Sequence, residues 1–142
     1  MKEQTESPII EIAARGLAPV IQIVGIYVFF HGHYGPGGGF QGGVLMAASI
    51  LLLRMCIGFE FSQYQISNRS TLFLCGIGAF IFAGTGLAAL LAGGNFLDYG
   101  YLPVPGLAEP DIRYYGILFI EVGVTLAVMT ALISIYDNLL GE

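Results

Sequence analysis

The chain has 142 residues, of which 56% are hydrophobic and 11% charged. A water-facing surface usually carries about 25% charged residues, so a soluble globular protein is excluded. Five basic residues and a net charge of −5 also exclude a nucleic-acid binder, which needs a basic patch to neutralise phosphates.

Apolar runs of about 20 residues read as membrane-spanning helices. Four occur, at about 9–30, 42–60, 71–93 and 112–136. The expected fold is an all-α integral membrane protein, a single domain over 1–142 built as a bundle of four transmembrane helices. Span 1 opens on Ser7-Pro8, a good N-cap and first turn. Pro19 is expected to bend it by freeing the carbonyl of Arg15. Glu11 and Arg15 form a favourable i, i+4 pair. These charges, and the lack of a small-residue cleavage site, argue against a signal peptide.

His31 and His33, the only histidines, close span 1. Two residues apart on one segment, they cannot grip a haem from facing helices, and the loop offers no further metal ligands. No cofactor and no metal are expected. The imidazoles are either wet hydrogen-bonding groups or proton carriers, since they titrate near neutral pH. The loop continues through Pro36, Gly37, Gly38, Gly39, Phe40, Gln41, Gly42 and Gly43. Gly37-x-Gly39-x-x-Gly42 matches a dinucleotide fingerprint in letters, but the strand and βαβ unit that give it meaning are missing. The glycines read first as a sharp turn that lets another backbone approach. A part in an ion-access route is the second reading.

Span 2 carries Arg54 near its end. Asn68, Ser70 and Thr71 are the expected caps of span 3. Small residues recur at spacing four, in Ala14 and Ala18, Gly43 and Ala47, Cys75, Ala79 and Ala83, and Gly84, Ala88 and Ala92. Such stripes mark helix interfaces in lipid. Cys56 and Cys75 fit no metal motif and read as packing residues. The loop 94–111 holds Asp98, Glu109, Asp111 and three prolines, and is expected to be ordered by turns and partners. Asp111 is the expected cap of span 4.

Glu121 lies deep in span 4, between Ile117-Leu118-Phe119-Ile120 and Val122-Gly123-Val124. A charged residue at mid-helix costs about 2.5–3.5 kcal/mol even on lenient insertion scales. Glu121 is therefore expected to bond a neighbouring helix or to serve as a proton or cation relay, with Thr125 one turn later on the same face. Arg54 is its natural intrachain partner, unless it snorkels to the surface. No nucleophile–base pair, paired aspartates or metal cluster at membrane depth suggests an enzyme. Lys2, Arg15, Arg54 and Arg69 lie on the side of the termini, against Arg113 opposite. The positive-inside rule therefore predicts both termini in the cytoplasm.

The run His33-x-x-Pro36-Gly37-Gly38-Gly39-Phe40-x-Gly42-Gly43 between two hydrophobic spans resembles the signature of the B-type (MnhB) component of Mrp-type multisubunit sodium/proton antiporters. Glu121-Val122-Gly123-Val124 in span 4 adds to the likeness, which covers nearly the whole chain. His31, Gln41 and Glu121 depart from the family's usual arginine, apolar residue and aspartate. The resemblance implies an accessory subunit of an assembly in the inner (plasma) membrane. Its partners would be other antiporter subunits, including large ones related to complex I, and the ions moved would be sodium and protons. The residues read above as candidates for an ion route are Glu121, His33, His31, Arg54 and Thr125. The same domain type occurs in Mrp-like arms of membrane-bound hydrogenases, which forms the alternative. A small homodimeric exporter is the alternative of another class. Such exporters carry their glutamate in span 1 and usually use tryptophan, which this chain lacks.

Overall fold

The computed structural model describes residues 7–32, 35–60 and 64–140. Four long helices follow one another: α1 (Pro8–His31), α2 (Gly39–Cys56), α3 (Asn68–Leu91) and α4 (Glu109–Leu140). Each is long and apolar enough to cross a membrane, as the four apolar runs predict. A single 3-10 turn, Tyr99–Tyr101, stands in the α3–α4 connection.

The helix ends follow local chemistry, and several differ from the sequence expectation. At the start of α1, Ser7 takes the extended N-cap conformation and Pro8 fills the first turn. α2 begins three residues earlier than expected, at Gly39. Its N-cap Gly38 has φ +119°, which only glycine adopts at no steric cost. The helix stops before position 60 because Gly58 takes φ +118° and its N–H turns back to the Leu53 carbonyl at 3.3 Å, a left-handed C-cap. Ser67, rather than Asn68, caps α3: its Oγ accepts from the Ser70 N–H at 3.3 Å. Asp111 is not a cap either. α4 already starts at Glu109, and the Ala108 carbonyl accepts the N–H groups of Asp111 and Ile112. With 32 residues, α4 spans about 48 Å, longer than a hydrocarbon core of about 30 Å, so it tilts or projects at its ends.

The helices stand side by side in the order α1, α2, α4, α3. α1 packs mainly on α2, α2 on α4, and α4 on α3. The bundle is thus an open row. α2 and α4 occupy its middle and run parallel. Ala14 and Ala18 of α1 close on Leu53 of α2, as their spacing predicts. Ala47 and Ile50 of α2 pack with Ile133 of α4 and Ile66. On α3 the predicted stripe is displaced. Ala79 and Ala83 are exposed, while Thr71, Gly78, Thr85 and Ala89 are buried. Gly78 decides this register: a Cβ there would lie 2.5 Å from the Gly123 carbonyl of α4. Only a glycine lets the two backbones approach so closely.

Candidate ion site at the glycine loop

One end of the row carries the α1–α2 loop and the segment 92–108. The other end carries the start of α1, the end of α4 and the α2–α3 connection. Glu121 stands at the loop end, about 18 Å along α4 from Glu109 at 1.5 Å per residue. Its carboxylate leaves α4 toward the glycines. Oε1 lies 3.1 Å from where a Cβ on Gly32 would be, and 3.2 Å from one on Gly38. Oε2 is buried. The Glu121 backbone blocks any side chain at Gly39, where a Cβ would run into its carbonyl oxygen. A larger residue at Gly38 or Gly39 would crowd either the carboxylate or the helix that carries it.

The site is polar for a reason that starts with α2. The first N–H groups of a helix have no intrahelical acceptor, and they carry the positive end of the helix dipole. Gly38 has no side chain to cap them, and no side-chain cap bond is made. The Glu121 carboxylate sits beside this N-terminus, where negative charge is favoured. Thr125 fastens the arrangement. Its Oγ1 donates to the Gly39 carbonyl at 3.0 Å and to the Glu121 carbonyl at 2.7 Å, sharing one proton between the two. One turn further, a Cβ on Gly43 would lie 2.9 Å from the Thr125 carbonyl. On the other side of α2, a Cβ on Gly42 would meet the Gly25 carbonyl of α1 at 3.1 Å. The Gly38 N–H folds the loop back by donating to the Val28 carbonyl at 3.1 Å, and a Cβ on Gly37 would lie 2.6 Å from that same oxygen. Pro36 and Phe40 are exposed on the loop surface.

His31 ends α1 and stacks on Tyr27, with ring centroids 5.2 Å apart. Its Nε2 lies 3.4 Å from where a Cβ on Gly35 would be. His33 lies outside the described residues. Among the described residues, no three His, Cys, Asp or Glu side chains gather as a metal site.

Arg54 is not brought to Glu121, and it does not snorkel. It is 4% exposed, at the opposite end of the α2–α4 seam. There it pairs with Asp137, which is 3% exposed. Its Nη2 donates to the Ile66 carbonyl at 3.1 Å, and its guanidinium covers the Phe59 ring at 5.1 Å. The reason is length. Glu121 and Asp137 are about 24 Å apart along α4, and Arg54 sits near the last residue of α2. Asp137 escapes notice in the sequence because it falls just past the expected end of span 4. The signal was available, since Ile133 and Asp137 continue the buried i, i+4 face. Tyr99 was also missed. It is half-buried in the α3–α4 connection and rests on Gly116. Burial pushes its phenol above the ordinary tyrosine range, and the Glu121 carboxylate adds to the rise.

Residues 9–134 match the family model for a domain related to the MnhB subunit of Na+/H+ antiporter. The chain belongs to the MnhB family. It is therefore a multi-pass membrane protein of a transporter family. It is 28% identical over 135 residues to the B-type component of the Na(+)/H(+) antiporter of Bacillus subtilis, covering 90% of this chain and 94% of the relative. It is 31% identical over 119 residues to the component of the same name from Alkalihalophilus pseudofirmus, covering 78% and 81%. A putative antiporter subunit mnhB2 of Staphylococcus haemolyticus is 32% identical over 123 residues, covering 80% and 84%. The MnhB match takes in α1, the glycine loop, α2, α3 and most of α4, so both partners of the Glu121 site lie within it.

Proposed function

We propose that this chain is an accessory membrane subunit of an Mrp-type sodium/proton antiporter, and that Glu121 is a stopping point for a proton or sodium ion passing along its face. The observation that carries the reading is the Glu121 carboxylate, held at membrane depth among backbone groups of the glycine loop. A purely structural hydrogen bond does not require an ionisable group there, and an ionisable group at that depth is expensive. Thr125, through its bonds to Gly39 and to Glu121 itself, positions the carboxylate. His31, at the end of α1, and His33, two residues later in the sequence, serve as entry groups. Arg54 is held apart from this route by Asp137.

The partners in this reading are the other antiporter subunits, among them large ones related to complex I, in the inner membrane. Both termini face the cytoplasm and the glycine loop faces outward. The names of the relatives favour the antiporter over a hydrogenase arm and over a self-sufficient exporter. The experiment compares Glu121→Gln, Glu121→Asp and Glu121→Leu in the assembled complex, measuring sodium-dependent proton movement in everted vesicles. Glutamine is expected to assemble and lose transport, and aspartate to retain it. Normal transport by the glutamine variant would reduce Glu121 to a hydrogen-bonding strut.

A further inference from the structure

Gln22 stands near the middle of α1, about 21 Å along the axis from Pro8 and about 13.5 Å from His31. Its side chain is half-buried, and among the described residues its amide makes no hydrogen bond. At that depth a bilayer offers neither water nor headgroups, and an amide is costly there until it is paired. Resting on the reading of this chain as a subunit of a membrane assembly, we infer that Gln22 marks the edge of α1 on which a membrane-spanning helix of a neighbouring subunit docks. That helix presents a hydrogen-bonding side chain, an amide or a hydroxyl, level with Gln22.

The faces of α1 separate by chemistry. Ala14, Ala18 and Gly25 are buried and point to α2. Ala14 and Ala18 close on Leu53, and a Cβ on Gly25 would lie 3.3 Å from Leu45 Cβ. Ile12, Val20, Ile23 and Tyr27 are each more than half exposed. With about 100° of turn per residue, they lie roughly 80–160° round the helix from Gln22, and they form a face suited to lipid. Glu11, Arg15 and Gln22 fall within about 40° of one another. Their edge runs between the buried face and the apolar one.

That edge is polar from the start of α1 to its middle. Arg15 Nη2 bonds Glu11 Oε1 at 2.7 Å, with both side chains nearly half exposed. One turn further on, Pro19 lies inside the helix. It has no N–H to offer the Arg15 carbonyl, which leaves a backbone acceptor beside the same edge. Gln22 comes next.

This chain does not complete the amide. Where α2 meets α1 at this height, Leu45 and Met46 close on Gly25. Ser49 of α2 gives its proton to the Met46 carbonyl at 2.7 Å. α1 is an end helix of the row, so its polar edge is open to a neighbour. The chemistry of the edge selects the occupant. An acyl chain has no donor or acceptor to give Gln22, whereas amide and hydroxyl side chains bond across helices inside a bilayer.

The experiment uses the assembled antiporter in its native membrane. Photoreactive benzoylphenylalanine replaces Gln22 or, in separate samples, Val20 or Tyr27. After illumination, position 22 is expected to crosslink to another antiporter subunit, and positions 20 and 27 are not. Mass spectrometry of the product is expected to place the crosslink in an apolar segment that contains an amide or hydroxyl residue. Crosslinks from position 22 to lipid alone, or to a second copy of this chain, would overturn the inference. Gln22→Leu supplies the second measurement. It is expected to weaken retention of the neighbouring subunit during purification by about threefold to twentyfold, the span of such bonds in membranes. Retention equal to wild type or better would overturn the docking edge, because leucine is the better residue against lipid. If the bulky probe at position 22 prevents assembly, Gln22→Leu decides alone. A wild-type chain that holds no other subunit would remove the subunit reading itself, whereas a stable complex with lipid at position 22 removes only the docking edge.

Discussion

Arg54 of α2 and Asp137 of α4 form an ion pair buried at the terminal end of the α2–α4 seam. The other end of the same seam holds Glu121 against Gly38 and Gly39. Between them stand Ala47, Ile50 and Ile133, packed against one another. The two ends lie apart inside this chain, and they call for different tests.

The pair is expected to act as a fastener. Arg54→Met or Asp137→Leu alone leaves an unpaired charge in a buried place, which costs about 3–5 kcal/mol. The double replacement removes both charges and is expected to recover most of that loss. Thermal unfolding of the purified complex measures it. A double variant no better than the single ones would mean that something other than the pair holds this end.

The glycines divide by what surrounds them. Gly39→Val and Gly43→Val drive a side chain into the backbone of α4 and are expected to abolish assembly. Gly16→Ala and Gly76→Ala meet nothing within 4 Å. These are expected to be neutral or to stabilise by about 0.5–1 kcal/mol through the better helix propensity of alanine. Co-purification with neighbouring subunits separates the classes. A Gly39→Val complex that assembles fully would contradict the close α2–α4 approach.

Thr125→Val removes the hydroxyl that links α4 to Gly39 while keeping the branched shape. A loss of about 1 kcal/mol is expected, the usual net worth of one hydrogen bond, together with slower transport as Glu121 loses its brace. Thr125→Ser is expected to restore both. Equal behaviour of the valine and serine variants would show that the hydroxyl is idle.

The sidedness rests on four basic residues against Arg113. Single cysteines at Ser7 and Asn95 can be treated with an impermeant thiol reagent in intact cells, with the native cysteines replaced. Labelling is expected at position 95 and not at position 7. The reverse pattern would invert the topology.

The number of helices was legible because lipid demands long apolar runs, and those are plain in the sequence. Glu121 was legible because one carboxylate within such a run is conspicuous. The partner of Arg54 was not, because pairing depends on which helices touch and at what height. Parallel α2 and α4 put Arg54 level with Asp137, and neither the helix order nor the register is written in any local pattern. The outward turn of Ala79 and Ala83 has the same origin. Two stripes on α3 have small residues at helical spacing, and the one that packs is chosen by where Gly123 offers a backbone. The start of α2 was misplaced for a local reason: glycines weaken a helix by propensity, yet Gly39 and Gly42 are helical here because α1 and α4 leave no room for anything larger.

Four helices in a row make a fence and not a pipe. With α1 and α3 at opposite ends, the described helices surround no channel, and their outward faces meet either fatty acyl chains or another polypeptide. A vesicle containing this chain alone should therefore stay tight to sodium and protons. In the route proposed for Glu121, the far bank is built by a neighbour.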